Sequence, residues 1–428
     1  MRYLGYLFFF LMLVVPTTFQ TTRGLFLLLI IGISIISAMK YGTRIHTWIA
    51  GITLICILTS SIFMLWGSIN DAPGALRVGT VYVLWPLLFI FFISVFYDLQ
   101  FWKSYLKVIV IASLAVEAMC LILITDAIGM SNIGIINYID AHIGIYDGMT
   151  QFHTANLTTL IFSIPYLLSK FLLSDTEKPG SFFWKSIEAF ALIGGVVVII
   201  FTGRRALWIV LILSPIITFM LANIAGSSFQ TSKFVKLATL MVIGFIISSS
   251  LYDINLNIIW DNILTGFNFD SSSQITESAY RRKEQFQALI SGWELNPLFG
   301  FGHGAAAADN AGGSEQQWAY ELSYIALLFQ VGIVGVVIYS GSVVWLYLRS
   351  IRLMRCSLNS RLVMIPVLTG LTTFLIANAT NPYLSKFDYL WVIFLPIAFL
   401  NSYLIDAKTQ KRHSDGIYIS KTRKCLDS

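Results

Sequence analysis

Four arginines stand where positive charge is unusual for this sequence, and their chemistry suits phosphate. Arg204 and Arg205 lie between two apolar runs, and Arg281 and Arg282 lie beside aromatic residues in the most polar stretch of the chain. A guanidinium presents a planar fork of donors that matches phosphate oxygens, and it stays charged in a poor dielectric. The four residues therefore indicate a site for a lipid-linked phosphate or diphosphate. The alternative is that they snorkel to lipid headgroups or bridge to aspartates.

Glu321 is the carboxylate best placed to act as a general base. It stands where a long polar segment gives way to an apolar helix, with Tyr320 and Tyr324 close by. It could take a proton from a sugar hydroxyl, or it could cap the helix, whose positive end favours a carboxylate. The two tyrosines could stack on sugar rings or bond to hydroxyls. His303 lies between two glycines in what we expect to be a flexible outer loop, where it could be a ligand, a base or a bystander.

No metal or nucleotide signature accompanies these residues. The sequence has no Walker loop, no Gly-x-Ser-x-Gly, no His-Glu-x-x-His and no Asp-x-Asp pair. The four cysteines show no spacing typical of a metal site. We therefore expect a chemistry that uses neither a metal nor a cofactor.

The elements that must position these residues follow from the composition. Of the 428 residues 57% are hydrophobic and only 12% are charged, with a mean hydropathy of +0.76. Soluble domains carry roughly a quarter charged residues, so a soluble enzyme, a disordered chain and a disulfide-rich module are excluded. The apolar runs are about 17–25 residues long, which is the length needed to cross a bilayer. The sequence predicts an all-α polytopic membrane protein.

The apolar runs predict about 12 transmembrane helices. Nine fall in residues 1–251 and three in 318–405, with a long outer loop over 252–317 and a basic cytoplasmic tail over 406–428. The expected spans are 3–19, 24–39, 46–66, 77–96, 104–124, 154–172, 187–202, 206–225, 234–251, 318–347, 361–379 and 388–405.

The distribution of positive charge predicts the orientation. With the N-terminus cytoplasmic, 20 of the 28 Lys and Arg residues fall in inner segments, as the positive-inside rule requires. The net charge of +6 therefore reflects the excess of Lys and Arg in the inner segments of a membrane protein. We expect no nucleic-acid partner. The eight outer residues are Arg23, Arg77, Arg204, Arg205, Arg281, Arg282, Lys283 and Lys386.

The outer loop over 252–317 is expected to carry function, because most helix connections run only ~2–8 residues. Within it, Tyr280–Trp293 has apolar residues on one side at helical spacing, among them Phe286 and Leu289. This pattern predicts a short helix that lies at or dips into the outer interface. No internal repeat is evident, which argues against an inverted-repeat transporter.

Three separated segments resemble motifs of the O-antigen ligase/polymerase superfamily. Phe201-Thr-Gly-Arg-Arg-Ala-Leu207 resembles the start of one of its helices. Tyr280 through Gly302 resembles its arginine- and Asn-Pro-containing loop, in a register that favours Arg282. Glu321-Leu-Ser-Tyr324 through Gly335 resembles the helix that follows. The motifs cover residues 201–335, and the rest of the chain is similar in hydropathy and topology.

One departure from the family pattern indicates the branch. Glycan ligases of the family usually carry His where this chain has Glu321 and Asn where it has Leu322. This favours the O-antigen polymerase branch, often called Wzy. The resemblance implies a GT-C-like, metal-independent glycosyltransferase of lipopolysaccharide or related polysaccharide biosynthesis. It would lie in a bacterial inner membrane, with its active site facing the periplasm.

The resemblance also implies partners and roles. The donor would be an oligosaccharide on undecaprenyl diphosphate, the acceptor another lipid-linked repeat unit, and a chain-length regulator a further partner. Glu321 would be the catalytic base, and Arg204, Arg205, Arg281 and Arg282 would bind the diphosphate, with Tyr320, Tyr324 and His303 near the sugar. The alternatives are an O-antigen ligase that transfers glycan to lipid A-core and a flippase for lipid-linked oligosaccharides.

Overall fold

A computed structural model of the chain describes residues 2–16, 20–127, 141–146, 149–154, 156–173, 182–202, 204–236, 239, 277–307 and 316–413. These residues are nearly all helical. Within them, eight helical segments are long and apolar enough to cross a membrane, and three further apolar helices are shorter. The chain is therefore a multi-pass membrane protein, as the apolar runs predict.

The helices follow one another with few other elements between them. In chain order they are α1 (Arg2–Val14), α2 (Gln20–Tyr41), α3 (Thr47–Ile69), α4 (Ala75–Gly79), α5 (Trp85–Val95), α6 (Leu99–Ala127), α7 (Leu157–Leu172), α8 (Phe182–Phe201), α9 (Arg205–Ala225), α10 (Glu277–Leu295), α11 (Ser323–Cys356), α12 (Leu358–Asn378) and α13 (Trp391–His413).

Shorter elements join these helices. A π-helical turn over Thr80–Leu84 makes α4 and α5 one continuous apolar span. Two 3-10 turns, Tyr383–Ser385 and Phe387–Tyr389, precede α13. Strands β1 (Ala141–Tyr146) and β2 (Met149–Thr154) form an antiparallel hairpin that the sequence did not predict.

Eight of the expected spans coincide with segments long and apolar enough to cross a membrane, and three more, 3–19, 24–39 and 154–172, coincide with shorter apolar helices. The remaining span, 234–251, lies almost wholly outside the described residues, so the total of about twelve stays a prediction. The expected span 318–347 begins later, at Ser323, and extends to Cys356. The outer loop is described only over 277–307 and from 316 onward.

The centre of the bundle is the pair α7 and α12. Nearly all residues of α7 are buried, and so is most of α12. Gly370 of α12 lies so close to Phe162 of α7 that a Cβ there would be 2.9 Å from the ring. Thr373 Oγ1 of α12 donates to Ile161 O of α7 at 3.2 Å. Small and hydroxyl-bearing residues are those through which membrane helices pack closely and bond.

The two ends of the bundle differ in chemistry. At one end, Arg355 Nε donates to Ile224 O at 2.9 Å and Arg361 Nη1 donates to Gly226 O at 2.8 Å, where α9 finishes. Positive groups at a helix C-terminus stabilise its exposed carbonyl groups. At the other end α9, α11 and α13 begin and α12 finishes. This second end holds Arg204, Arg282 and Glu321.

Candidate functional site

Helix α11 is broken one third of the way along. Gly332 adopts φ 60 and ψ −170, which interrupts the helical backbone. A break leaves carbonyl groups before it and N–H groups after it without helical partners, and inside a membrane such groups must bond to protein. The structure supplies these partners from the segment Pro297–Gly304, here called the inserted loop.

The inserted loop runs along the break and bonds to both of its sides. Two of its N–H groups donate to α11 and two of its carbonyl groups accept from α11, so the broken helix is completed by a distant part of the chain. The four bonds are Phe301 N to Phe329 O (3.2 Å), Gly302 N to Gln330 O (2.8 Å), Ile333 N to Pro297 O (3.0 Å) and Val334 N to Leu298 O (3.1 Å).

The other side of the inserted loop lies against α3. His303 N donates to Phe63 O at 2.9 Å, and Trp66 Nε1 donates to Gly300 O at 3.2 Å. Gly302 has a φ of +92, and a Cβ there would lie 2.1 Å from Gly67 N. Only glycine fits this position, because a side chain would meet both a strained backbone and the α3 backbone.

His303 is fully buried within the inserted loop. Its ring stacks on Tyr82 with centroids 5.0 Å apart, and its Nε2 lies 3.0 Å from Tyr339 Oη. Tyr339 Oη lies in turn 2.7 Å from Ser60 Oγ. Burial lowers the pKa of His303 to about 4, because the charged form loses its hydration. His303 is thus fixed in a buried network rather than in the flexible loop that we expected, and its role near a sugar stays a prediction.

Helix α10 leads into the inserted loop along the first part of α11. The helix predicted for Tyr280–Trp293 is present and extends over Glu277–Leu295. Leu289 is buried as expected, whereas Phe286 is half-exposed. The helix approaches α11 through Gly292, where a Cβ would lie 2.6 Å from the Phe329 ring.

Near the first turns of α10 and α11, Arg282 and Glu321 form an ion pair. Arg282 Nε donates to Glu321 Oε2 at 2.8 Å, and the two side chains are 33% and 39% exposed. One turn further along α10, Gln285 Oε1 accepts from Glu321 N at 3.0 Å. Helix α10 therefore holds both the side chain and the backbone of Glu321, and leaves the pair open to solvent.

The two tyrosines beside Glu321 are placed differently. Tyr320 is buried, and its hydroxyl accepts from Ala307 N at 2.6 Å. This places it in the packing between α10 and α11 rather than at an open surface, and its contact with sugar stays a prediction. Tyr324 is 42% exposed, and its hydroxyl donates to Leu375 O at 2.6 Å. Its ring is accessible at the same end of the bundle.

Asn378 ties the start of α11 to the loop that reaches Arg204. Its Nδ2 donates to Ser323 Oγ at 3.0 Å, and its Oδ1 accepts from Leu384 N at 2.9 Å. Burial raises the pKa of Tyr383, and the positive charge of nearby Arg204 opposes that shift. Arg204, the residue before α9, therefore belongs to the same end of the bundle as the ion pair.

The positions of the side chains of Arg281 and Arg205 relative to the ion pair are less closely defined. Arg281 is exposed on α10, next to Arg282. Arg205 is the first residue of α9, and its side chain lies outside the described part of the structure. Among the described arginine side chains only Arg282 forms an ion pair with Glu321.

Sequence reasoning missed Gln285 and Asn378. A signal for Gln285 was available, because it follows Arg282 by three residues and so shares its helix face. Asn378 is the last residue of α12, and an amide at the end of an apolar helix carries no distinctive pattern. Among the described residues no group of three or more His, Cys, Asp or Glu side chains could hold a metal ion.

The fold and this site define a multi-pass membrane protein with a solvent-accessible arginine–carboxylate pair at one end of its bundle. No family model matches the chain, and no curated protein matches it in sequence. The arrangement offers a fork of donors for an anion and, directly beside it, a carboxylate that can accept a proton.

Proposed function

We propose that this protein is an O-antigen polymerase-like glycosyltransferase that joins lipid-linked repeat units at the outer face of a bacterial inner membrane. The observation that best supports this proposal is the contact between Arg282 and Glu321. A group that can bind the leaving diphosphate and a group that can activate the acceptor hydroxyl are then neighbours. Transfer of a glycan from a polyprenyl diphosphate needs both of these roles.

Arg282 can hold the carboxylate and bind phosphate at the same time. Its Nε bonds to Glu321, and this is its one ion pair or hydrogen bond among the described residues. The two Nη groups therefore remain for diphosphate oxygens, for which the planar fork is well suited. Donors fixed in place before the reaction stabilise the charge that grows on the leaving group.

The proposed reaction is a direct displacement. The acceptor hydroxyl attacks the anomeric carbon of the donor glycan, and a glycosidic C–O bond forms as the bond from that carbon to the diphosphate oxygen breaks. The diphosphate keeps the electron pair. Glu321 takes the hydroxyl proton and later releases it to water. Attack in line with the leaving group would invert the configuration at the anomeric carbon.

Arg204 supplies a second positive charge at the same end. It precedes the first turn of α9 and makes no side-chain cap to that helix. A positive group at a helix N-terminus is opposed by the helix dipole, whereas an anion bound there is favoured. This supports a diphosphate position between Arg204 and Arg282, with Arg205 and Arg281 as the further candidates.

The alternative from another class is a transporter of lipid-linked oligosaccharides. Discontinuous helices carry ion and substrate sites in many transporters, and α11 is discontinuous at Gly332. Here the four backbone groups at the break bond to the inserted loop. They are therefore not left to coordinate an ion, and the break supports a fixed scaffold for the ion pair.

The test is a reconstitution with purified protein and undecaprenyl-diphosphate-linked repeat units. A polymerase produces a ladder of lipid-linked glycans without a second protein. Transfer only to lipid A-core would instead identify a ligase. Movement of labelled donor across liposomes without any new glycosidic bond would identify a flippase. The Glu321→Gln protein, matched in amount, is the control and should give no ladder.

A further inference from the structure

Glu117 is a buried carboxyl in the membrane-spanning part of α6, and it takes part in none of the contacts described above. Only 3% of the residue is exposed. Neither of its carboxyl oxygens has a hydrogen-bond partner among the described residues. Intramembrane carboxyls are costly and are usually paired or functional.

The carboxyl lies in a niche made by two glycines of α8. A Cβ at Gly194 would lie 2.5 Å from Glu117 Oε2, and a Cβ at Gly195 would lie 3.1 Å from Oε1. The absence of side chains at both positions is what leaves room for the carboxyl. At this point helix α8 thus presents two glycines to the carboxyl and no side chain that could neutralise a negative charge.

No ion pair or hydrogen bond joins Glu117 to a charged group among the described residues. On α8, Glu188 pairs with Lys170 of α7 at 2.8 Å. The nearest titratable group on α6 itself is Cys120, three residues on, a thiol that supplies no positive charge. Among the side chains that the structure describes, the remaining titratable groups on packed elements are as follows: Tyr3 of α1, which is exposed; Tyr6 of α1, which donates to Phe101 O; Lys185 in the first turn of α8; Tyr166 of α7; Tyr403 of α13, which donates to Asn359 O; and Asp406 of α13, whose electrostatic neighbours are Asp98 and Lys103.

We infer that Glu117, with Gly194 and Gly195, forms a proton-binding site in the membrane interior, in which the side chain is an uncharged carboxylic acid. An ionised carboxylate without a partner would be strongly unfavourable in this setting. Binding of one proton from water removes that cost and needs no other reactant. The site is independent of the proposed glycosyl transfer, because it shares no described contact with Arg282 or Glu321.

Infrared difference spectroscopy tests the protonation state directly. The full-length protein at neutral pH is compared with Glu117→Gln, which keeps the shape of the side chain and cannot ionise. The difference spectrum should contain the C=O stretch of a protonated acid. A difference confined to the carboxylate bands would overturn the inference.

A second variant covers the case in which Glu117→Gln does not fold. Gly194→Ala adds a methyl group that would lie 2.5 Å from Oε2, so the acid must move and its C=O frequency must shift from that of the wild type. A protonated-acid band that is unchanged in this variant would show that the band does not come from Glu117, and would overturn the inference.

A hydrophobic carbodiimide gives an independent chemical readout. Dicyclohexylcarbodiimide reacts with protonated carboxyls in apolar surroundings. The whole reagent molecule becomes covalently attached to the carboxyl, with no leaving group. Because Gly194 is partly exposed on α8, the reagent can approach from the lipid side. Peptide mass spectrometry should find the adduct on Glu117 and not in Glu117→Gln. Adducts on other carboxyls only, or protection of Glu117 by Na⁺ at constant pH, would overturn the inference.

Discussion

Arg282 Nε lies 2.8 Å from Glu321 Oε2, across the contact between α10 and the start of α11. Both side chains are about one third exposed. Ion pairs at this exposure contribute ~0–1 kcal/mol to stability, since solvent screens them. The pair is therefore expected to matter little for folding, and substitutions of either residue can separate activity from stability.

Glu321→Gln tests the role of the carboxylate as base. The amide keeps the shape but cannot accept the proton, so polymerisation should fall by ~10²–10⁴-fold while lipid-linked donor still binds. Glu321→Asp should keep part of the activity, because only the reach is shortened. Turnover and donor binding are measured on both variants. Near-wild-type chain length in the Gln variant would rule out this role.

The capping interpretation of Glu321 makes a different prediction. If the residue serves only the helix start, Gln is tolerated and Ala lowers the melting temperature, by an amount worth ~1 kcal/mol, more than it lowers turnover. If it is the base, Ala and Gln both lose turnover and keep a melting temperature close to that of the wild type. Melting curves recorded beside the activity assay distinguish the two.

Arg282→Lys tests the bidentate fork. Lysine keeps the charge but loses the planar donors, so we expect at least a ~10-fold loss of activity, and a larger loss for Arg282→Ala. The matched control is Lys283→Ala, which removes a positive charge from the neighbouring exposed position on α10. Full activity in Arg282→Ala, or an equal loss in the control, would remove Arg282 from the diphosphate site.

His303 predicts an acid-sensitive stability. Burial lowers its pKa to about 4 in the folded protein, whereas the unfolded chain has an ordinary histidine. The unfolded state therefore takes up the proton first, and stability present above about pH 6.5 is lost as the pH falls towards 4. The expected loss in the free energy of unfolding approaches ~3 kcal/mol at pH 4. Melting temperatures of wild type and His303→Gln across this range should diverge; parallel curves would contradict the prediction.

Gly302→Ala tests whether the inserted loop needs close contact with α3. The substitution strains a backbone with φ +92 and places a Cβ 2.1 Å from Gly67 N. Gly42→Ala is the matched control, because Gly42 has φ +73 and open space around it. Backbone strain costs ~1–3 kcal/mol at either site. The melting temperature should fall clearly further for Gly302→Ala, and equal losses would show that the close contact has no effect.

Two introduced cysteines test the orientation. In a variant without native cysteines, Gln316→Cys and Asn359→Cys place thiols at exposed positions near opposite ends of the bundle. The charge distribution predicts that a membrane-impermeant thiol reagent labels position 316 from the periplasmic side, and position 359 only after lysis. The reverse pattern would invert the topology and remove the proposed site from the periplasm.

The sequence by itself determined the class of protein and the approximate course of the chain. Runs of apolar residues long enough to span a bilayer are a local property, so α3, α6 and α9 could be placed from composition alone. The same is true of α10, whose apolar residues recur at helical spacing. The unusual positions of Arg282 and Glu321 were also visible, because positive charge is rare in outer segments and a carboxylate is rare at the start of an apolar helix.

Only the tertiary structure decided which of these residues meet. Arg282 and Glu321 are 39 positions apart, and their contact depends on how α10 packs on α11. The burial of His303 could not be predicted, because it follows from the backbone bonds that the inserted loop makes at the Gly332 break. The niche around Glu117 likewise needs two glycines from another helix. Residue type and local periodicity do not encode these contacts, because each arises from packing between elements distant in sequence.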